Sequence, residues 1–133
     1  MAAILLSTLV FASLHLLNPE VGESGVLCGM LNYFVLGLFL CIVAVVDDGL
    51  EMAWGVHAIQ NIYVVTCWNM STTSIPSDSL FLVDEATTYG SIGKVTIAII
   101  LCLLLFSRML KWDWRMLKLN KRIDVNQVPS DLE

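Results

Sequence analysis

Apolar residues in this chain come in long unbroken blocks rather than in the every-third-or-fourth rhythm of an amphipathic helix. Four blocks stand out: residues 2–17, 26–46, 50–68 and 92–106. The second holds no charged residue, the third only Glu51 at its start, and the fourth only Lys94. A helix needs about 20 apolar residues to cross a bilayer. The second and third blocks meet that length; the first and fourth reach it with their flanks or a tilt. The pattern predicts an all-α fold, a polytopic transmembrane bundle of about four spans.

The connections carry turn chemistry. Asn18 to Gly25 is rich in turn formers and holds Glu20 and Glu23. Asp47-Asp48-Gly49 is a tight polar turn that makes the second and third blocks an antiparallel hairpin. Residues 69–90 read as a long Ser/Thr-rich loop with Pro76, Asp78, Asp84 and Glu85. This organisation divides the chain into a membrane domain, 1–106, and a basic amphipathic juxtamembrane segment with a polar tail, 107–133.

Composition agrees. The 133 residues are 57% hydrophobic and only 14% charged, against about 25% charged in soluble domains. Six of the seven basic residues lie from Arg108 onward. Such a cluster beside an apolar block anchors topology and places the C-terminal tail in the cytoplasm. It is not the basic surface of a folded domain that nucleic-acid binding requires. Trp112 and Trp114 among these charges suit a helix end emerging through lipid headgroups. Membrane lipids are therefore the first expected partner. Cys28, Cys41, Cys67 and Cys102 form no Cys-x-x-Cys pair and read as small buried thiols. Met1 leads directly into Ala-Ala-Ile-Leu-Leu without a basic stretch, unlike a secretory signal peptide. Asn69-Met70-Ser71 matches a glycosylation sequon. Gly25-x-x-x-Gly29 reads either as a helix-packing motif or as a loop-to-helix start.

Chemistry concentrates in three residues. Gly55-Val-His-Ala-Ile-Gln-Asn61 places His57 and Asn61 four apart, on one face of a helix. Phe11 and His15 share the same spacing. Neutral imidazole is a metal ligand and a general acid or base near neutral pH, and a carboxamide can donate to a developing oxyanion. Polar side chains in spans tend to mark sites. The competing explanation is a structural interhelical hydrogen bond, worth about 0.6 kcal/mol on average in membranes.

Phe11-x-x-x-His15 followed by Leu-x-Asn18-Pro19, together with Gly49-Leu-Glu-Met-Ala-Trp-Gly-Val-His57-x-x-x-Asn61, resembles the CPBP intramembrane metalloproteases, also called the CAAX prenyl endopeptidase type 2 or abortive-infection family. The resemblance covers about residues 5–68. It implies the C-terminal portion of a CPBP-type fold and hydrolysis of a peptide bond in a prenylated or other membrane-associated substrate. His15 would bind or orient the attacking water, with His15 and His57 as ligands if a divalent metal such as zinc takes part. His57 and Asn61 would stabilise the oxyanion. The chain departs from the family in lacking the Glu-Glu-x-x-x-Arg motif that supplies the general base. Glu51 is about 240° around an ideal helix from His57, and Glu20 and Glu23 have the wrong spacing. The missing motif and the abrupt start read together as the C-terminal part of a longer protease. A catalytically inactive relative, acting as an immunity or scaffold protein, is the alternative, and a small transporter subunit is a third.

Overall fold

The computed structural model describes residues 1–83 and 88–118, with the side chains of 88–91 left aside. Asp84, Glu85, Lys121, Arg122 and the polar tail 126–133 lie outside the described residues. Five helices follow in chain order: α1 (Ala2–Ser13), α2 (Pro19–Glu23), α3 (Val26–Val46), α4 (Glu51–Thr66) and α5 (Thr88–Leu110). Two short strands, β1 (Trp68–Met70) and β2 (Phe81–Val83), lie between α4 and α5, and a 3₁₀ turn, Trp114–Leu117, follows α5.

α3 is the hub. α1, α2, α4, α5 and the 3₁₀ turn all pack against it. Its charge-free 21 residues bury Phe39, Leu40, Val43 and Val46 together with Ala53 of α4 and Trp112. Among the described residues two segments, Val26–Val46 and Ile92–Leu110, are long and apolar enough to cross a membrane, with mean hydropathies of 2.4 and 2.0. The second leaves Ile97, Ile100, Leu101, Leu104 and Leu105 exposed, as a lipid-facing surface requires.

Of the four expected spans, two reach full length in the described residues. α1 stops at Ser13 after 12 residues, a rise of about 18 Å against the ~30 Å hydrocarbon core. The Ser13 hydroxyl donates back to the Val10 carbonyl at 2.8 Å. The chain then tightens into three-residue turns, with His15 N–H donating to Ala12 and Asn18 N–H to His15. Pro19 disfavours helical geometry at Asn18 and opens α2, where its preset φ suits a first helical position. α4 spans 16 residues, or about 24 Å. It ends at Thr66, after the β-branched run Val64-Val65-Thr66, which suits the strand that follows.

The 47–49 turn forms as expected, with Asp48 in the left-handed region (φ 54°). That conformation is tolerable for Asp, whose short side chain can bond locally. The 69–90 segment is more ordered than a loop. β1 and β2 pair in parallel, Trp68 against Phe81 and Met70 against Val83. Asn69, 1% exposed, pins the connection by donating to the Ile75 carbonyl (2.9 Å) and the Ser77 hydroxyl (2.8 Å). A buried, doubly engaged carboxamide rules out the sequon as a glycosylation site in this fold.

Two further expectations change. Trp112 is not an interfacial anchor. α5 ends as Lys111 turns left-handed (φ 53°), and Trp112 folds back, 8% exposed, with its indole N–H donating to Asp47 at 2.8 Å. This bond puts the 47–49 turn and the end of α5 at the same end of the bundle. The Gly25 and Gly29 pair divides its roles. Gly25 caps α3 with φ 77°, whereas Gly29 is where α2 closes on α3. A Cβ on Gly29 would stand 2.8 Å from the Val21 Cα. The cysteines are free thiols, Cys28 buried and the other three half-buried.

Gly29→Ala therefore pushes backbone against backbone and lowers stability by about 1–3 kcal/mol. Gly22→Ala, with nothing within 4 Å of its Cβ, leaves stability unchanged or slightly higher. The Thr8 hydroxyl is fully buried with no partner among the described residues. Thr8→Val removes that burial penalty and gains about 1 kcal/mol. Thermal melts of the purified protein in detergent check all three.

Candidate active site

Phe11, in the last turn of α1, is the meeting point. Its ring lies on α3 at Gly37, where an added Cβ would come 2.8 Å from the Phe11 Cδ1. The ring meets His15 at 4.7 Å between centroids, tilted 39°. It also meets His57 of α4 edge-on, at 5.6 Å and 88°. The two histidines thus converge on one aromatic ring although 42 positions separate them in the chain. Their rings do not face opposite sides of the bundle.

His15 lies past the end of α1, so no helix orients it. Its Nδ1 bonds the Phe11 carbonyl oxygen at 2.8 Å. A carbonyl only accepts, so Nδ1 carries the proton, and Nε2 of the neutral ring keeps its lone pair. The imidazole stacks on Tyr33 of α3, at 4.2 Å and 25°. His57 lines an apolar groove of about 340 Å³ with Phe11, Gly37, Leu40, Ala44 and Trp54. Asn61 follows one turn later on α4, half-buried, and its carboxamide has no hydrogen-bond partner among the described residues.

A second cavity, of about 690 Å³, opens at Tyr33 and is more polar, with Glu20, Asn32, Gln60, Tyr63 and Lys94 in its wall. Glu20 is not the loop bystander its spacing suggests. The Tyr33 hydroxyl donates to its carboxylate at 2.6 Å. Asn18 donates at 3.1 Å, and the Ser74 backbone N–H at 2.9 Å. Burial alone acts to raise the Glu20 pKa, but the hydrogen bonds from Tyr33, the local backbone and Ser74 outweigh it and hold the carboxyl below its ordinary value. Neither Glu20 nor Tyr33 emerges from the motif reading. The available signals were a lone hydroxyl in a charge-free span and an acid beside Asn18-Pro19.

A catalytic zinc takes three protein ligands. Among the described residues no group of three His, Cys, Asp or Glu side chains gathers. His15, His57 and Asn61 by themselves therefore fall short of a zinc centre, and no chemical step is assigned to a metal.

Residues 1–63 match the family described as Type II CAAX prenyl endopeptidase Rce1-like. This is the family that the Phe11-x-x-x-His15 and His57-x-x-x-Asn61 motifs resemble, and the matched stretch contains both motifs. No curated protein and no solved structure matches the chain.

The Glu20 shift sets an acid limb of stability. A carboxyl held low in the fold stabilises it above the unfolded pKa of about 4.3. That stabilisation is lost as pH falls through the lower, folded value. Melting temperature should decline through this acid window, and Glu20→Gln should flatten the decline. An unaltered acid limb in the variant would contradict the assignment.

Proposed function

We propose that this chain acts as an intramembrane endopeptidase of the CAAX-protease type, hydrolysing a peptide bond in a prenylated or other membrane-associated protein or peptide. The supporting observation is the convergence of His15 and His57 on the Phe11 ring, from two elements far apart in sequence, beside an apolar groove. Two purely structural histidines have no need to meet there.

In this reading a water molecule is held at His15 Nε2, the nitrogen left with a lone pair. As the water oxygen adds to the scissile carbonyl carbon, Nε2 takes its proton. His57 and the unengaged carboxamide of Asn61 donate to the tetrahedral oxyanion. The proton then passes from Nε2 to the leaving nitrogen as the C–N bond breaks, giving a carboxylic acid and an amine. The apolar groove along Phe11, Leu40, Ala44 and Trp54 suits the lipid-like part of the substrate. Burying hydrocarbon there contributes about 25 cal/mol per Å².

A second reading rests on one observation. Glu20, the carboxylate joined to the His15 ring through Tyr33, is already engaged by Asn18, Tyr33 and Ser74. A catalytically inactive relative, serving as an immunity or scaffold protein, would look the same.

The protein reconstituted in liposomes with a fluorogenic prenylated peptide separates the two readings. Cleavage should be measurable and should fall on the order of 10²- to 10³-fold in Asn61→Ala. It should fall at least as far in His15→Ala and His57→Ala, with the variants inserted and folded as the wild type. Wild-type rates in both histidine variants would sink the protease reading. A folded wild type that cleaves nothing favours the inactive relative.

A further inference from the structure

The imidazole of His15 has no helix to orient it, yet two rings lie against it. Phe11 meets it tilted and Tyr33 stacks on it. The bond from Nδ1 to the Phe11 carbonyl tethers one atom of the ring and still allows it to swing. The Tyr33 stack is what sets the plane. Tyr33 has only two side-chain torsions, and its hydroxyl stops both, donating to Glu20 at 2.6 Å and accepting from the Asn18 carboxamide at 3.0 Å. A contact of that length between a hydroxyl and a carboxylate is in the charge-assisted range, roughly twice as strong as a neutral bond. Glu20 is held in its turn by Asn18 (3.1 Å) and by Ser74, whose N–H donates at 2.9 Å and whose hydroxyl shares one proton between the two carboxylate oxygens at 2.9 and 3.1 Å.

We propose that Tyr33 is the positioning residue of His15, and that Glu20, seated by Asn18 and Ser74, holds Tyr33 in place. The chain of contacts runs from the 71–80 connection, through one carboxylate and one phenol, to the imidazole. Its catalytic meaning rests on the protease reading; its physical content does not. A purely structural clamp between the 71–80 connection and α3 would use the same Glu20 bonds but would have no effect on the imidazole.

The two histidines of the chain make the test direct. In this 133-residue chain, labelled at histidine and held in lipid nanodiscs, the imidazole carbon-bound protons give two sets of NMR resonances, assigned with His57→Gln. Tyr33→Leu should move the His15 protons downfield, because the shielding of a stacked ring is lost, while the His57 set stays in place and reports an intact fold. Glu20→Gln and Tyr33→Phe should move the same protons part of the way, since the ring remains but its anchor is gone. Should Tyr33→Leu fail to fold, these two conservative variants decide. His15 resonances unmoved by Glu20→Gln and Tyr33→Phe overturn the proposal, as does an unmoved His15 in a folded Tyr33→Leu. In the liposome assay, Glu20→Gln should lower kcat on the order of tenfold to 10²-fold, as misplacement of a reacting group does, with KM within about twofold. Full activity of Glu20→Gln beside a dead His15→Ala overturns the positioning role alone. Full activity of His15→Ala overturns the protease reading and leaves the resonances to judge the relay.

Discussion

The seat of Phe11 on Gly37 is the contact on which the rest of the arrangement depends. With 2.8 Å between the ring and the place a Cβ would occupy, α1 can approach α3 closely only because position 37 carries no side chain. The approach does two things. It packs α1 against the charge-free hub. It also sets an aromatic ring where α4 passes, and this ring is what His15 and His57 share.

The hub is tied at both ends by hydrogen bonds between parts of the chain far apart in sequence. At one end the Trp112 indole reaches back to Asp47, so the segment after α5 closes over the α3–α4 turn. At the other end Glu20 gathers Asn18, Tyr33 and Ser74. The site lies between them, with an apolar groove on the His57 side and a polar cavity on the Tyr33 side. A substrate with a hydrocarbon part and a peptide part would find a surface for each.

Much of this was legible from residues alone. Unbroken apolar runs announced α3 and α5, because a segment buried in lipid or core on all sides needs no periodicity. Asp47-Asp48-Gly49 announced a turn, and Phe11, His15, His57 and Asn61 announced themselves as polar or aromatic groups at helical spacing. The misjudged features have two causes. The parallel β1–β2 pair and the inward turn of Trp112 depend on partners distant in sequence, whereas the end of α1 at Ser13 is a local event inside an apolar block. Apolar blocks do not report where a serine hydroxyl donates back to a carbonyl three residues earlier. A tryptophan beside lysines looks interfacial until an aspartate 65 positions away accepts its N–H.

The sequence by itself determined the class of the protein: an apolar, helical chain with two imidazoles in its hydrophobic blocks and Asn61 at helical spacing from one of them, since hydropathy and i to i+4 spacing are local properties. Only the tertiary structure decided that the two imidazoles meet on one ring. It also decided that Tyr33 lies against His15 and that Glu20 belongs with them. Ring stacking and a hydrogen bond from phenol to carboxylate act over a few ångströms between residues that the chain separates by turns and helices, and only packing against α3 brings them within that range.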